Sequence, residues 1–334
     1  MFMTTLKYFA LAGALAALTL LPAPRAAHAD DDAQDTPTTA LAPAAPIPAP
    51  RLAGYVQIRE SAQDGPGLTA TIHRARLSAD GALPNRFTYR VLVEYEAGGN
   101  ARTAAAVSLR EAYARWTYAP FALQFGQFKT PFTREYLISV SALETLDLPV
   151  VVDSLAPKYD IGATAEASWR GNATLTLGVF NGEGQNIPAN RDSQVVAVAR
   201  ATVRALPQVT LGGSLARYSP DSLRYGGDAA IEQSGFSLRG ELVGQRRRGR
   251  ARDDQGWYVF AGYRALPWLQ FVARQEDYQR PALGTKRRLS SSMGGITFDL
   301  AGGRTRILTE FISSVSGASR VRRGTLAAQL QVKF

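Results

Sequence analysis

Residues 125–160 read FGQFKTPFTREYLISVSALETLDLPVVVDSLAPKYD. On both sides the chain is a regular series of short segments in which apolar and polar residues alternate. Here the alternation stops for about thirty residues, and a connection of that length inside a compact chain is usually functional. The stretch opens on Gly126, Lys129 and Pro131, carries both signs of charge, and ends at Tyr159, where alternation resumes. Two readings fit it. Either it folds into the lumen of a β-barrel built by the flanking segments, or it is a long surface loop.

Working outward, the alternating segments fall at 52–60, 69–79, 86–97, 104–118, 121–128, 159–169, 172–181, 194–205, 208–217, 225–233, 235–246, 256–265, 267–278, 289–300, 304–315 and 323–334. A strand that crosses a membrane obliquely has about ten residues and a period of two. Sixteen such strands make the even number that a single-chain bacterial barrel requires. The connections alternate in length. Ala119-Pro120, Gly171, Leu206-Pro207, Ser234, Leu266-Pro267 and Ala301 to Gly303 are short, with Asp80 to Asn85 slightly longer. Those around 61–68, 98–103, 129–158, 182–193, 218–224, 247–255, 279–288 and 316–322 are long. Short turns on one rim and long loops on the other describe an outer-membrane barrel. A soluble β-sandwich predicts no such asymmetry.

The strand faces agree. In 159–169, Ile161, Ala163, Ala165, Ala167 and Trp169 oppose Thr164, Glu166 and Ser168. In 323–334, Leu326, Ala328, Leu330, Val332 and Phe334 oppose Gln329, Gln331 and Lys333. An apolar face toward lipid and a polar face toward a wet lumen satisfy both surfaces. Aromatic residues (Tyr118, Phe121, Trp169, Trp257, Trp268) mark strand ends, and an aromatic, Phe334, stands last in an alternating strand.

Residues 1–29 read as a secretory signal: Lys7, an apolar run from Tyr8 to Leu21, and a small-x-small site at Ala27-His28-Ala29. Residues 30–50 are acidic, then rich in Ala and Pro, and read as a periplasmic linker without a core. Residues 51–334 remain for the barrel. They keep 36 of the 38 bases and 24 of the 28 acids, because only Lys7, Arg25, Asp30, Asp31, Asp32 and Asp35 precede them. A basic balance points to anionic partners, meaning small anions or lipid phosphates, and export argues against nucleic acid. The sequence has no cysteine, so disulfides play no part, and a closed strand ladder offers another way to hold an exported chain together.

Alternation places Arg59, Arg74, Arg76, Arg90, Arg115, Arg170, Arg200, Arg204, Arg239, Arg274, Arg306 and Lys333 on the inner face, with Glu94, Glu111, Glu166, Glu241, Glu276, Asp299 and Glu310. Arginine stays charged and forks onto oxyanions, so a row of arginines makes a graded anion path. The same arginines can instead brace the wall by pairing with those acids. The pore-lining set expected for an anion path is Arg74, Arg76, Arg115, Lys129, Arg134, Arg200, Arg239 and Arg274. The 128–160 stretch itself holds three bases and five acids, so the filter depends on which of its side chains face the opening. Base clusters at Arg246 to Arg252, Lys286 to Arg288, and Arg320, Arg322 and Arg323 fit an electrostatic funnel or lipopolysaccharide contacts.

Enzymatic chemistry finds no support. His73 is the only histidine after residue 29, there is no GxSxG elbow, and no metal-ligand spacing is present. No cofactor is expected.

IHRARLSADGALPNRFTYRVLVEYEAG (72–98), FGQFKTPFTREYL (125–137) and GVFNGEGQN (178–186) together resemble the phosphate-selective porin O/P family. The resemblance implies a sixteen-stranded outer-membrane barrel, usually a homotrimer, with the third loop folded into the lumen and an arginine ladder feeding it. By motif it carries over Arg74, Arg76 and Lys129, and also Arg134. It makes phosphate, polyphosphate or chloride the expected cargo. A general porin of low selectivity and a structural barrel with a plugged lumen stand as alternatives.

Overall fold

The computed structural model describes residues 47–65, 67–96, 106–187, 189–190, 194–219, 221–249, 254–282, 285–317 and 321–334. The expected signal segment, the linker up to residue 46, the connection at 98–103, and Arg250, Arg252 and Arg320 lie outside these residues.

Sixteen strands form one closed antiparallel barrel, each paired with its neighbours in sequence. They are β1 (Arg51–Gln63), β2 (Gly67–Leu83), β3 (Phe87–Glu96), β4 (Ala106–Tyr118), β5 (Phe121–Lys129), β6 (Tyr159–Trp169), β7 (Ala173–Phe180) and β8 (Val196–Leu206), then β9 (Val209–Ser219), β10 (Ser222–Gln233), β11 (Phe236–Arg247), β12 (Asp254–Leu266), β13 (Leu269–Ala282), β14 (Thr285–Leu300), β15 (Thr305–Ser316) and β16 (Val321–Lys333). Closure comes from β1 against β16, in register from Tyr55 opposite Lys333 to Gln63 opposite Thr325. Phe334 completes the seam: its N–H donates to Gly54 O at 3.0 Å and its carbonyl accepts from Gly54 N at 2.9 Å. A Cβ at Gly54 would meet the Phe334 ring at 2.6 Å, so glycine makes room for that ring. Closure leaves no sheet edge unpaired, which is what a spanning sheet in hydrocarbon requires.

All sixteen expected strands are present, and the connections correct the sequence reading. The loops expected around 61–68, 218–224 and 279–288 shrink to a few residues, because β1 and β2, β9 and β10, and β13 and β14 continue their pairing beyond the apolar band. Polar residues continue a ladder as well as apolar ones once the strands leave lipid, so hydropathy underestimates strand length there. Likewise Asp80 belongs to β2, paired with Arg90, and the turn lies over 84–86. Arg170 sits in the β6–β7 turn at φ 48° and not on the inner wall.

The outer surface is apolar. Leu52, Ile58, Leu77, Phe125, Leu177, Leu215, Leu242, Phe271, Phe311 and Leu326 are all exposed. A continuous apolar belt of this kind is unfavourable in water and matched by lipid. At the short-turn rim aromatic rings form a girdle: Phe236 stacks on Tyr263 at 4.2 Å, Trp268 on Phe298 at 6.3 Å and Trp116 on Tyr118 at 5.9 Å. No helix among the described residues is long and apolar enough to cross a membrane.

Candidate pore constriction

The barrel wall is lowest at β5 to β7. The last residue of β4 paired with β5 is Ala112, opposite Gln127, although β4 starts at Ala106. Gly126 lies within β5, three residues before its end. Its φ is +126°, and a Cβ there would lie 2.2 Å from Ala112 O, so no side chain is tolerated. Through this dip residues 130–158 enter the lumen. They carry two short helices, α1 (Arg134–Leu137) and α2 (Val150–Leu155), with one 3-10 turn (Val140–Ala142) between them.

Apolar packing holds the loop to the inner wall. Phe132, Tyr136, Val151, Val152 and Leu155 are buried in one cluster with Phe180, Val196, Val243, Tyr258, Phe260, Val272 and Met293. Leu146 packs on Leu308 and Ala327. Charged clamps fix the register. Arg239 gives a two-pronged pair to Glu135, at 2.9 and 3.1 Å, and also binds Glu144. Arg200 donates to Phe132 O at 2.7 Å, and Arg274 donates to Asp147 O at 2.7 Å and Thr145 Oγ1 at 3.0 Å. Arg306 reaches Leu143 O at 2.9 Å. In the other direction, wall carboxylates accept loop N–H groups: Glu241 from Arg134 and Glu135, Glu310 from Leu146, and Glu276 from Val150. The long loop is thus the constriction element, and three of its acids, Glu135, Glu144 and Asp147, are counter-ions for wall arginines.

On the remaining side of the lumen, β1 to β4 present a compact basic cluster. Arg74 binds Glu94 and Glu96, each at 2.9 Å, while Arg76 binds Glu94. Arg110 joins both carboxylates and gives a 2.6 Å hydrogen bond to Gln185. Arg76 faces the Tyr55 ring and Arg110 the Tyr159 ring. Arg59 clasps Asp147 of the loop at 2.8 and 3.1 Å, and His73 Nε2 lies 3.8 Å from the same carboxylate. The barrel interior pushes the Asp147 carboxyl up, but the bonded Arg59, with His73 and Arg74 nearby, holds it below the usual carboxylate range. Around the opening four bases (Arg59, Arg74, Arg76, Arg110) face three acids (Glu94, Glu96, Asp147).

The expected pore-lining residues therefore divide. Arg74 and Arg76 belong to the lumen cluster, and Arg115 lines a cavity below the loop while paired with Glu166 at 2.8 Å. Lys129 donates to Tyr136 O at 2.6 Å and Ile138 O at 2.7 Å, tying the end of α1 to its own strand. Arg134 reaches Glu232 at 3.1 Å. Arg200, Arg239 and Arg274 are buried clamps; the bracing role describes them better than a free anion ladder does. Arg110 escaped the sequence reading. Strict alternation with Glu111 and Tyr113 inward sends it to lipid. A bulge reverses this: Leu92 pairs Glu111 and Val93 pairs Leu109, which leaves Arg110 as the extra residue. His73 is the extra residue of a second bulge, between Gln57 opposite Arg74 and Ile58 opposite Ile72. The signal was two adjacent charged or ionisable residues, His73-Arg74 and Arg110-Glu111, which a regular strand cannot both turn inward.

No cluster that could hold a metal ion occurs among the described residues. Residues 54–206 match the family model of the phosphate-selective porins O and P. The matched span runs from β1 to β8 and includes the constriction loop. Among solved structures, the anion-selective porin from Comamonas acidovorans is similar at a TM-score of 0.65 and 12% identity, over 86% of this chain and 99% of that one. OmpF of Salmonella typhi in complex with daunomycin is similar at 0.67 and 10%, over 85% and 97%. OmpT of Vibrio cholerae in its trimer form is similar at 0.61 and 9%, over 85% and 99%. At these identities the likeness is one of fold. No curated protein matches the chain. Family match and barrel together support an outer-membrane porin, a channel rather than an enzyme.

Proposed function

We propose that this porin passes small anions, phosphate or polyphosphate among them, and prefers them to cations. The observation that carries the reading is the excess of bases around the opening, where Arg74, Arg76 and Arg110 share only Glu94 and Glu96. Three guanidiniums on two carboxylates leave a net positive site with N–H groups to offer a passing oxyanion. Several weak contacts of this kind let an ion enter and leave. Arg115 and Lys129 continue the positive field below the loop, and Arg134 adds to it at the loop's own start. The buried Arg200, Arg239 and Arg274 contribute through the field they create rather than by direct contact.

The pairing of each arginine with a carboxylate favours a second reading, a general porin of low selectivity. Single-channel recording across a KCl gradient separates the two. The anion reading expects a reversal potential on the chloride side and block of the chloride current by added phosphate. A reversal potential near zero supports the general porin, and cation preference overturns both. We further propose export by residues 1–29, contact of the outer base clusters with lipopolysaccharide phosphates, and assembly as a homotrimer, the form in which OmpT of Vibrio cholerae was described.

A further inference from the structure

Below the constriction loop, on the short-turn side, β4 to β8 enclose a cavity of about 320 Å³. That volume is at the lower end of the range, about 300–1,000 Å³, in which small-molecule sites fall. The inner-face register builds its wall. Arg115 pairs with Gln124 and Gln124 with Thr164, while Thr176 stands opposite Glu166 on one side and Arg200 on the other. Thr174 and Thr202 are cross-strand partners one row lower.

Three features set this cavity apart from the arginine clamps. The hydroxyls of Thr164, Thr176 and Thr202 make no hydrogen bond to any described residue, although Thr164 is only 7% exposed. Arg115 is partly exposed and gives its short bond to Glu166, with a contact of only 3.4 Å to Gln124. Facing them from the loop is Leu137, whose apolar side chain is 37% exposed inside a polar lumen. Arg115 pairs with Glu166 and Arg200 with Asp228, so Lys129 is the one base of the lining without a carboxylate partner among these ion pairs.

We propose that this cavity is a subsite for a small hydroxylated carboxylate of the aldonic-acid type. The carboxylate would lie on Arg115. The chain hydroxyls would pair with the three threonines, each of which can donate and accept. The C–H edge would cover Leu137. Inorganic phosphate uses the arginine but offers nothing to Leu137. The inference rests on the anion reading above and gives it a substrate class.

The test is block of the chloride current by gluconate and by hexanoate, which has the same six carbons and charge without hydroxyls. The quantity read is the ratio of the two blocking constants within each protein, so changes in the open pore cancel. Gluconate is expected to block at a lower concentration than hexanoate. In the T164V/T176V/T202V variant the ratio should move toward one, a loss of about a hundredfold for three hydrogen bonds. If the triple variant does not refold, Thr176→Val alone should reduce the same ratio. Equal block by the two acids in the unmodified, chloride-selective channel overturns the subsite and leaves the anion reading standing, as does an unchanged ratio in the variants. A cation-selective channel overturns both.

Discussion

At the scale of single residues, the two bulges decide the chemistry of the opening. Without the bulge in β4, Arg110 would face lipid and Glu94 and Glu96 would lose one of three guanidiniums. Arg110→Gln should therefore move the reversal potential toward the cation side while the pore stays open, measured in the KCl gradient. An unchanged potential would mean that the cluster does not set selectivity. Asp147 gives a pH prediction. Its folded-state pKa is depressed, so the clasp with Arg59 is fully present above the ordinary carboxylate value, about 3.9, and is lost only as the pH falls through the lower folded value. The clasp should hold from neutral pH down through about pH 5, so a conductance step that belongs to it falls only in stronger acid. Asp147→Asn should abolish that acid step.

At the scale of the element, the long loop is a folded insert with its own wall contacts. Its apolar side chains fill one side of the barrel, and its four acids are explained by where they dock: Glu135 and Glu144 on Arg239, Asp147 on Arg59, and Asp153 on Lys158. Arg239 is 5% and Glu135 2% exposed. Removing one member of such a buried pair costs about 3–5 kcal/mol. Arg239→Gln should thus loosen the loop from the wall while the strand ladder persists. Single-channel conductance should rise and become noisier, and the heat stability of the barrel should change little. Loss of the barrel itself would show that the loop is part of the fold's foundation.

At the scale of the whole molecule, the lumen is a charged tube inside an apolar belt. The anion selectivity proposed for it would be a field effect and should weaken with salt, because the screening length falls from about 10 Å at 0.1 M to about 3 Å at 1 M. Anion preference should decline steadily across that range while conductance grows. Preference that survives 1 M salt would point to direct ligation rather than to the field.

The barrel was legible in the chain because its signal is local. Period-two alternation is set residue by residue by the need for one apolar and one polar face, and all sixteen segments could be found from it. Strand ends above the apolar band were not legible, since pairing there continues without a hydropathy signal, as in β13 and β14. The insertion of residues 130–158 was signalled by the break in alternation and by the Gly-Gln-Phe-Lys start. Which arginines it would occupy was not. Arg76 and Arg239 look alike in sequence, each an inward base on an alternating strand, and both are buried, yet one pairs with Glu94 of the wall and the other with Glu135 and Glu144 of the loop. That difference depends on contacts between residues about a hundred positions apart, and on two bulges that shift the inward face by one residue. The sequence by itself determined a membrane barrel with a basic interior and one long insert. Only the tertiary structure decided which charges the insert neutralises and which remain to meet an ion, because charge pairing depends on distances that alternation does not specify.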